Sequence, residues 1–378
     1  MNPFLEYVKH LFSKKPIWDK DSELNSLVTV DAILKHLIDD KRVPGLAITV
    51  LKEGETILQK GYGYANLEKG VTIDPKETIF RIASVSKPIA ATALAHMVKE
   101  GRIDLDQSFY HYVPYFPKKE WDFTIRQLAG HTAGLRAYQG MEYGLNKPYT
   151  IKESLAIFEN DALKFQPGTA FLYNSFNWVL ISLAMQEVSE IPFENYVQEK
   201  VLNPLGMTNT YVPERKPSQN PKKNDEAKRK GCPVADQAKI TSFYSKNRFG
   251  FRQAIAVNNF YKLAGGGYLS TSDDIAKLGQ AYLDGRVMAN EILSQFITSV
   301  TITNKPTYYG LGWQVSQDKN GRPYYGHVGN GVGGYANFYV YPEEQMVFSI
   351  LVNCTDPKVQ EELDEVIEIL VSKDNGPA

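Results

Sequence analysis

Cysteine is scarce in this chain of 378 residues: Cys232 and Cys354 are the only two. They could close one bridge at most, so a disulfide framework is excluded, and Cys354 inside "FSILVNC" reads as a buried strand thiol. Net charge is nearly absent as well. A balance of −1 at pH 7 gives no long-range field to attract nucleic acid or an anionic membrane, so neither partner is expected. No apolar run reaches the roughly 20 residues a spanning helix needs. The six histidines and two cysteines show no H-E-x-x-H or C-x-x-C spacing, so no metal site is expected. Internal repeats are missing too.

The chain does have length enough for one large core and a generous share of tyrosine, 23 in all. Residues 1–24 carry no clean apolar stretch with a small-residue cleavage site, because Glu6, Lys9 and His10 interrupt it. They read as a short amphipathic helix. A cytoplasmic protein is expected, or a periplasmic or organellar one if a leader lies outside this sequence.

Further on, "LAITVLKEGETILQKGYGYANLEKG" alternates about Glu53-Gly54 and predicts a β-hairpin. Residues of about 116–259 turn mainly helical, in "IKESLAIFENDAL", "FNWVLISLAMQEVSE" and "PFENYVQEKVLNPLG". The basic stretch at 213–231 reads as a solvated surface insertion. The last third returns to strands in "YYGLGWQVSQ", "RPYYGHV", "GGYANFYVYP" and "EQMVFSILVNC", a meander closed by a helix at 357–373. The expected fold is α/β (α+β): an antiparallel sheet from both chain ends, about 25–115 and 260–378, flanked by helices with a helical block inserted.

Several short motifs are decoys. "GNGVGG" (329–334) fits a dinucleotide fingerprint, but a tyrosine-rich strand follows where a helix N-terminus is required. "GHTAG" (130–134) has no apolar strand before it and reads as a loop. Ser316 and Lys319 repeat the Ser-x-x-Lys spacing at a strand end, by accident. In "FRIASVSKPIAATALAHMVKEG" (80–101) the setting differs. Ser84 and Ser86 are N-cap types, Pro88 suits a first turn, and Gly101 suits a C-cap. Ser84 and Lys87 then lie one helical turn apart, within mutual reach. A serine hydroxyl needs a base, and a lysine buried among "IAATALA" can have its pKa depressed enough to serve. An N-cap serine with a snorkelling lysine would give the same spacing.

The stretches "FRIASVSKPIAATALAHMVKEGRIDLD", "LAGHTAGL", "FQPGTAFLYNSFNWVLISLAMQEVS", "LNPLGM", "AGGGYLST" and "YYGHVGNGVGG" occur in the order found in serine β-lactamase-like proteins. The chain resembles that superfamily, which includes class C β-lactamases, penicillin-binding DD-peptidases, related esterases and the mitochondrial serine β-lactamase-like type, over roughly residues 28–355. The resemblance implies a β-lactamase/transpeptidase-like domain over 25–378, acyl transfer to Ser84, and neither cofactor nor metal. It makes Lys87 the base and Tyr173 of "YNS" the proton shuttle, a task for which a lowered phenol pKa is suited. The amides of Ser84 and Asn330 would form the oxyanion hole. Ser175, His327, Gly329, Tyr138 and Gln139 would line the substrate site. His327 and Val328 stand where β-lactamases carry the lysine and threonine of K-T-G, so weak or no β-lactamase activity is expected. The implied substrate is a small ester, amide or peptide, and a homo-oligomer fits the resemblance. The rival readings are a non-catalytic or filament-forming protein on the same fold, and a true β-lactamase or DD-peptidase.

Overall fold

The computed structural model describes residues 23–213, 235–288 and 290–372. Most of the amphipathic segment expected over 1–24, nearly all of the basic stretch 213–231, and Cys232 lie outside them. In chain order, helix α1 (Glu23–Asp39) precedes strands β1 (Gly45–Lys52), β2 (Glu55–Asn66) and β3 (Val71–Thr72). Helices α2 (Ser86–Lys99), α3 (Phe176–Ser189) and α4 (Ser272–Leu283) follow. The chain then returns to the sheet with β4 (Gln314–Gln317), β5 (Pro323–Gly331), β6 (Gly334–Tyr341) and β7 (Met346–Val352), and helix α5 (Gln360–Val371) comes after them.

These seven strands form one sheet in the order β4-β5-β6-β7-β1-β2-β3. The early and late strands meet where β1 pairs antiparallel with β7, Leu46 opposite Val352 and Lys52 opposite Met346. The sheet is therefore built from both ends of the chain, as the sequence pattern predicts. The β1–β2 turn is also as predicted: Glu53 (φ 49°) and Gly54 (φ 84°) are both left-handed, which matches the twist of the flanking strands.

Side-chain alternation decides the layers. Leu46, Ile48, Val50, Phe348, Ile350 and Val352 face helices α1 and α5, through Leu34, Leu37, Leu363 and Val366. Ala47, Leu51, Phe338, Val347 and Leu351 face the other way, into a core shared with Ile89 and Leu94 of α2, Trp178 of α3 and Ile275 of α4. Burying a side chain such as Leu94 stabilises the fold by about 1.5–3 kcal/mol. Helix α2 has no wet side over its first turns, because every residue from Ser86 to Ala95 is buried. Lys87 therefore cannot snorkel.

Three local expectations need correction. "IKESLAIFENDAL" forms only a 3₁₀ turn, Glu153–Ile157. The Ile157 carbonyl accepts from Arg136 and the Glu159 and Asp161 carbonyls accept from Lys119, so side chains hold groups that a helix would use. The inserted block also holds a hairpin, Tyr244–Asn247 with Gly250–Gln253, tied to Cys354 by parallel pairing at Tyr244. Finally, no serine caps α2. Val85 takes the N-cap position, and the buried Ser86 hydroxyl instead accepts from the Tyr268 amide at 3.1 Å.

Candidate active site

Ser84 sits in a 3₁₀ turn, Ala83–Val85, that runs directly into α2. Ala83 before it has φ 45°, a left-handed conformation that costs a residue with a side chain about 1–3 kcal/mol. Strand β5 presses on this turn. A Cβ added to Gly329 would fall 2.2 Å from the Ile82 carbonyl oxygen and 3.2 Å from the Ser84 nitrogen. Only glycine lets the strand backbone approach so closely.

One helical turn beyond Ser84, the Lys87 side chain turns back toward it. Its Nζ lies 3.2 Å from Ser84 Oγ, 3.3 Å from Ser175 Oγ and 2.6 Å from the Gly265 carbonyl oxygen. Lys87 has no solvent exposure. Burial, reinforced by the charge of Lys262, holds its ammonium well below the usual lysine range. A neutral amine suits these neighbours. Two N–H groups can go to Gly265 and Ser175, which leaves a lone pair for the Ser84 hydroxyl proton.

Tyr173 donates to Ser84 Oγ at 2.8 Å. Its loop is pinned by Asn174, whose amide donates to the Leu135 and Leu172 carbonyls at 3.1 Å each and whose oxygen accepts from Asn177 at 3.0 Å. The expected lowering of the phenol pKa does not occur. Burial pushes it above the ordinary tyrosine value, against the weaker opposing pull of Ser84. Tyr173 is thus a protonated donor near neutral pH.

These groups open into a cavity of about 420 Å³. Ser84, Tyr138, Tyr173, Ser175 and Asn330 are on its wall, but His327, Gly329 and Gln139 are not. Gln139 is instead spent on a capping box with Glu142 at a short 3₁₀ helix, Gly140–Gly144. Gly329 acts through close backbone packing. His327 is buried behind Tyr173, ring centroids 5.9 Å apart, and both its nitrogens are occupied. Nδ1 donates to its neighbour's Val328 carbonyl at 2.7 Å, and Nε2 accepts from the Tyr309 hydroxyl at 2.9 Å. Burial pulls the ring pKa down to about 3, with Lys87 adding to the effect, so the imidazole is neutral. The Val328 side chain packs with the α1–α5 layer, so a hydroxyl there would face away from the cavity.

Four residues near the site carry no local signal in the sequence. His131, in the stretch read as a plain loop, is fully buried with φ 60° and packs on the rings of Tyr173 and Tyr309 at 4.6 and 4.7 Å. Tyr309 completes that aromatic backing. Arg81 and Lys262 lie on the cavity wall itself. Arg81 is three residues before Ser84 and Lys262 two before "AGGG", but only the folded chain brings them to one cavity. No group of His, Cys, Asp and Glu able to hold a metal occurs among the described residues. Nor is any described helix long and apolar enough to cross a membrane.

Known proteins similar to this chain can now be set beside it. The serine beta-lactamase-like protein LACTB, mitochondrial, of Homo sapiens is 27% identical, over 82% of this chain and 71% of its own length. The octameric penicillin-binding protein homologue from Pyrococcus abyssi superposes with a TM-score of 0.76 at 23% identity, covering 92% of this chain and 78% of that one. The D-amino acid amidase from Ochrobactrum anthropi SV3 gives 0.74 at 20% identity, covering 93% and 100%. These two structures share the fold. Residues 30–371, nearly the whole described chain, match the Beta-lactamase family. The chain belongs to the beta-lactamase family.

Proposed function

We propose that this protein is a serine hydrolase that forms an acyl-enzyme at Ser84 on small esters, amides or peptides. The observation that carries the reading is one hydroxyl set between two proton-handling groups, 2.8 Å from Tyr173 and 3.2 Å from a lysine with no solvent exposure. Lys87 takes the Ser84 proton as Oγ attacks the carbonyl carbon. The amides of Ser84 and Asn330 hold the oxyanion, at the place where β5 crosses the Ser84 turn. Tyr173 protonates the departing group and recovers its proton from Lys87, and water then hydrolyses the ester on Ser84.

A fluorophosphonate probe is expected to modify the protein once, at Ser84, as read by peptide mass spectrometry. Ser84→Ala should take up none and lose ester turnover. Labelling of a different serine, or full turnover in the alanine variant, removes the reading.

β-Lactams should be poor substrates. The strand position that holds their carboxylate in K-T-G enzymes is taken here by His327, neutral and with both nitrogens engaged. Losing a charge-assisted hydrogen bond of about 1.5–3 kcal/mol weakens binding roughly ten- to a hundredfold. The check is kcat/KM for nitrocefin against p-nitrophenyl butyrate, and a preference for nitrocefin refutes the argument from His327.

A further inference from the structure

We infer that Arg81 and Lys262 form an anion subsite in the Ser84 cavity, so that the preferred substrate carries a carboxylate in addition to its scissile bond. The inference rests on the acyl-enzyme reading for its activity test, but the subsite itself is a matter of binding.

The two cations line one cavity with Ser84, and no aspartate or glutamate is among the described residues lining it. Two other largely buried arginines of this protein have carboxylate partners. Arg136 is clamped by Glu142 at 2.7 Å and Asp161 at 2.6 Å, and Arg322 by Asp318 at 2.7 Å. Arg81 and Lys262 form no ion pair among the described residues. Arg81 donates to the Val332 carbonyl at 2.7 Å and lies 3.9 Å over the Phe243 ring. That uses one of its five N–H donors. Lys262 rests against the Tyr138 and Tyr261 rings, its Nζ 5.2 and 5.7 Å from their centroids.

Withdrawing a cation from water without a counter-ion is unfavourable, and two neighbouring cations also repel each other. Burial and the charge of Arg81 hold Lys262 down at about 8, and burial holds Arg81 at about 10. Both are still charged at neutral pH. One anion between them would relieve both penalties at once. Asn259, on the same wall, has a buried side-chain oxygen without a partner among the described residues, an acceptor for an N–H or O–H of the same ligand. These groups are distinct from His327, which is not on the cavity wall, so the argument about the K-T-G position does not bear on them. An ester with a carboxylate at the end of a flexible chain probes them.

The test compares mono-p-nitrophenyl glutarate with p-nitrophenyl pentanoate, which share a chain length and differ in the terminal carboxylate. The wild type is expected to favour the glutarate by about ten- to a hundredfold in kcat/KM. In Lys262→Met and Arg81→Gln that ratio should fall about tenfold or more, chiefly through KM. Lys262→Glu should transfer the preference to the p-nitrophenyl ester of 4-(trimethylammonio)butyrate, a reversal that loss of a purely structural lysine does not produce. Equal use of the two esters by the wild type, or a ratio unchanged in both Lys262 variants, overturns the proposal. If the wild type hydrolyses no ester and Ser84 takes up no fluorophosphonate, the hydrolase reading has failed, and calorimetric binding of glutarate decides the subsite. Binding weakened about tenfold in Lys262→Met sustains it, and absence of binding to the wild type ends it.

Discussion

Lys87→Met is expected to turn over p-nitrophenyl esters about 10²–10⁴-fold more slowly than the wild type while folding at least as well. The loss follows because no other base among the described residues lies within hydrogen-bond distance of the Ser84 hydroxyl, Tyr173 being a protonated donor. The stability gain follows from the same burial. An unfolded lysine binds a proton up to about pH 10.5, but the folded Lys87 releases it at a lower pH. Between those two values the unfolded wild type holds the extra proton, so wild-type stability rises with pH across that window. Methionine fills the space without this penalty. The stability difference between variant and wild type should therefore be largest at or below neutrality and shrink as pH approaches 10. Urea unfolding of both proteins at pH 6, 7.5 and 9.5 measures it. A variant less stable at pH 6 than at pH 9.5, relative to the wild type, contradicts a Lys87 ammonium held below its ordinary range by burial.

Tyr173→Phe should discriminate between leaving groups. With its phenol pushed up by burial, Tyr173 donates a proton and does not remove one. An amine or alkoxide needs that proton in order to depart, but p-nitrophenolate does not. The variant should lose about 10²–10⁴ in kcat on an amide or alkyl ester and far less on a p-nitrophenyl ester. Combining it with Lys87→Met should cost less than the two losses multiplied, because the groups act on one proton. Equal losses on both leaving groups would instead make Tyr173 the base.

How much of this was legible beforehand depended on the range of the contact. The Glu53-Gly54 turn, the α2 helix ending at Gly101 and the β4–β7 meander are local, and their patterns show in the sequence. The Ser84–Lys87 pair is also local, one turn of helix. Tyr173 is 89 residues from Ser84 and was legible only through the ordered resemblance. Periodicity can say that Lys87 is buried, but not that the Gly265 carbonyl waits for it 178 residues away. For the same reason the cationic wall of Arg81 and Lys262 was invisible: two lone basic residues have no pattern until the fold brings them to one cavity. Gln139 and His327 show the converse. Each holds the motif position of a wall residue, but capping takes one and two hydrogen bonds behind Tyr173 take the other.

The pairing of β1 with β7 also sets a timetable for the nascent chain. Leu46 leaves the ribosome long before its partner Val352, and synthesis at about 5–20 residues per second separates them by roughly 15–60 s. Throughout that interval the first hairpin offers "LAITVL" as an unsatisfied edge, an apolar template for any extended segment nearby. Closure of the sheet thus waits for synthesis of β7, and yield in a heterologous host should rise with holdase capacity.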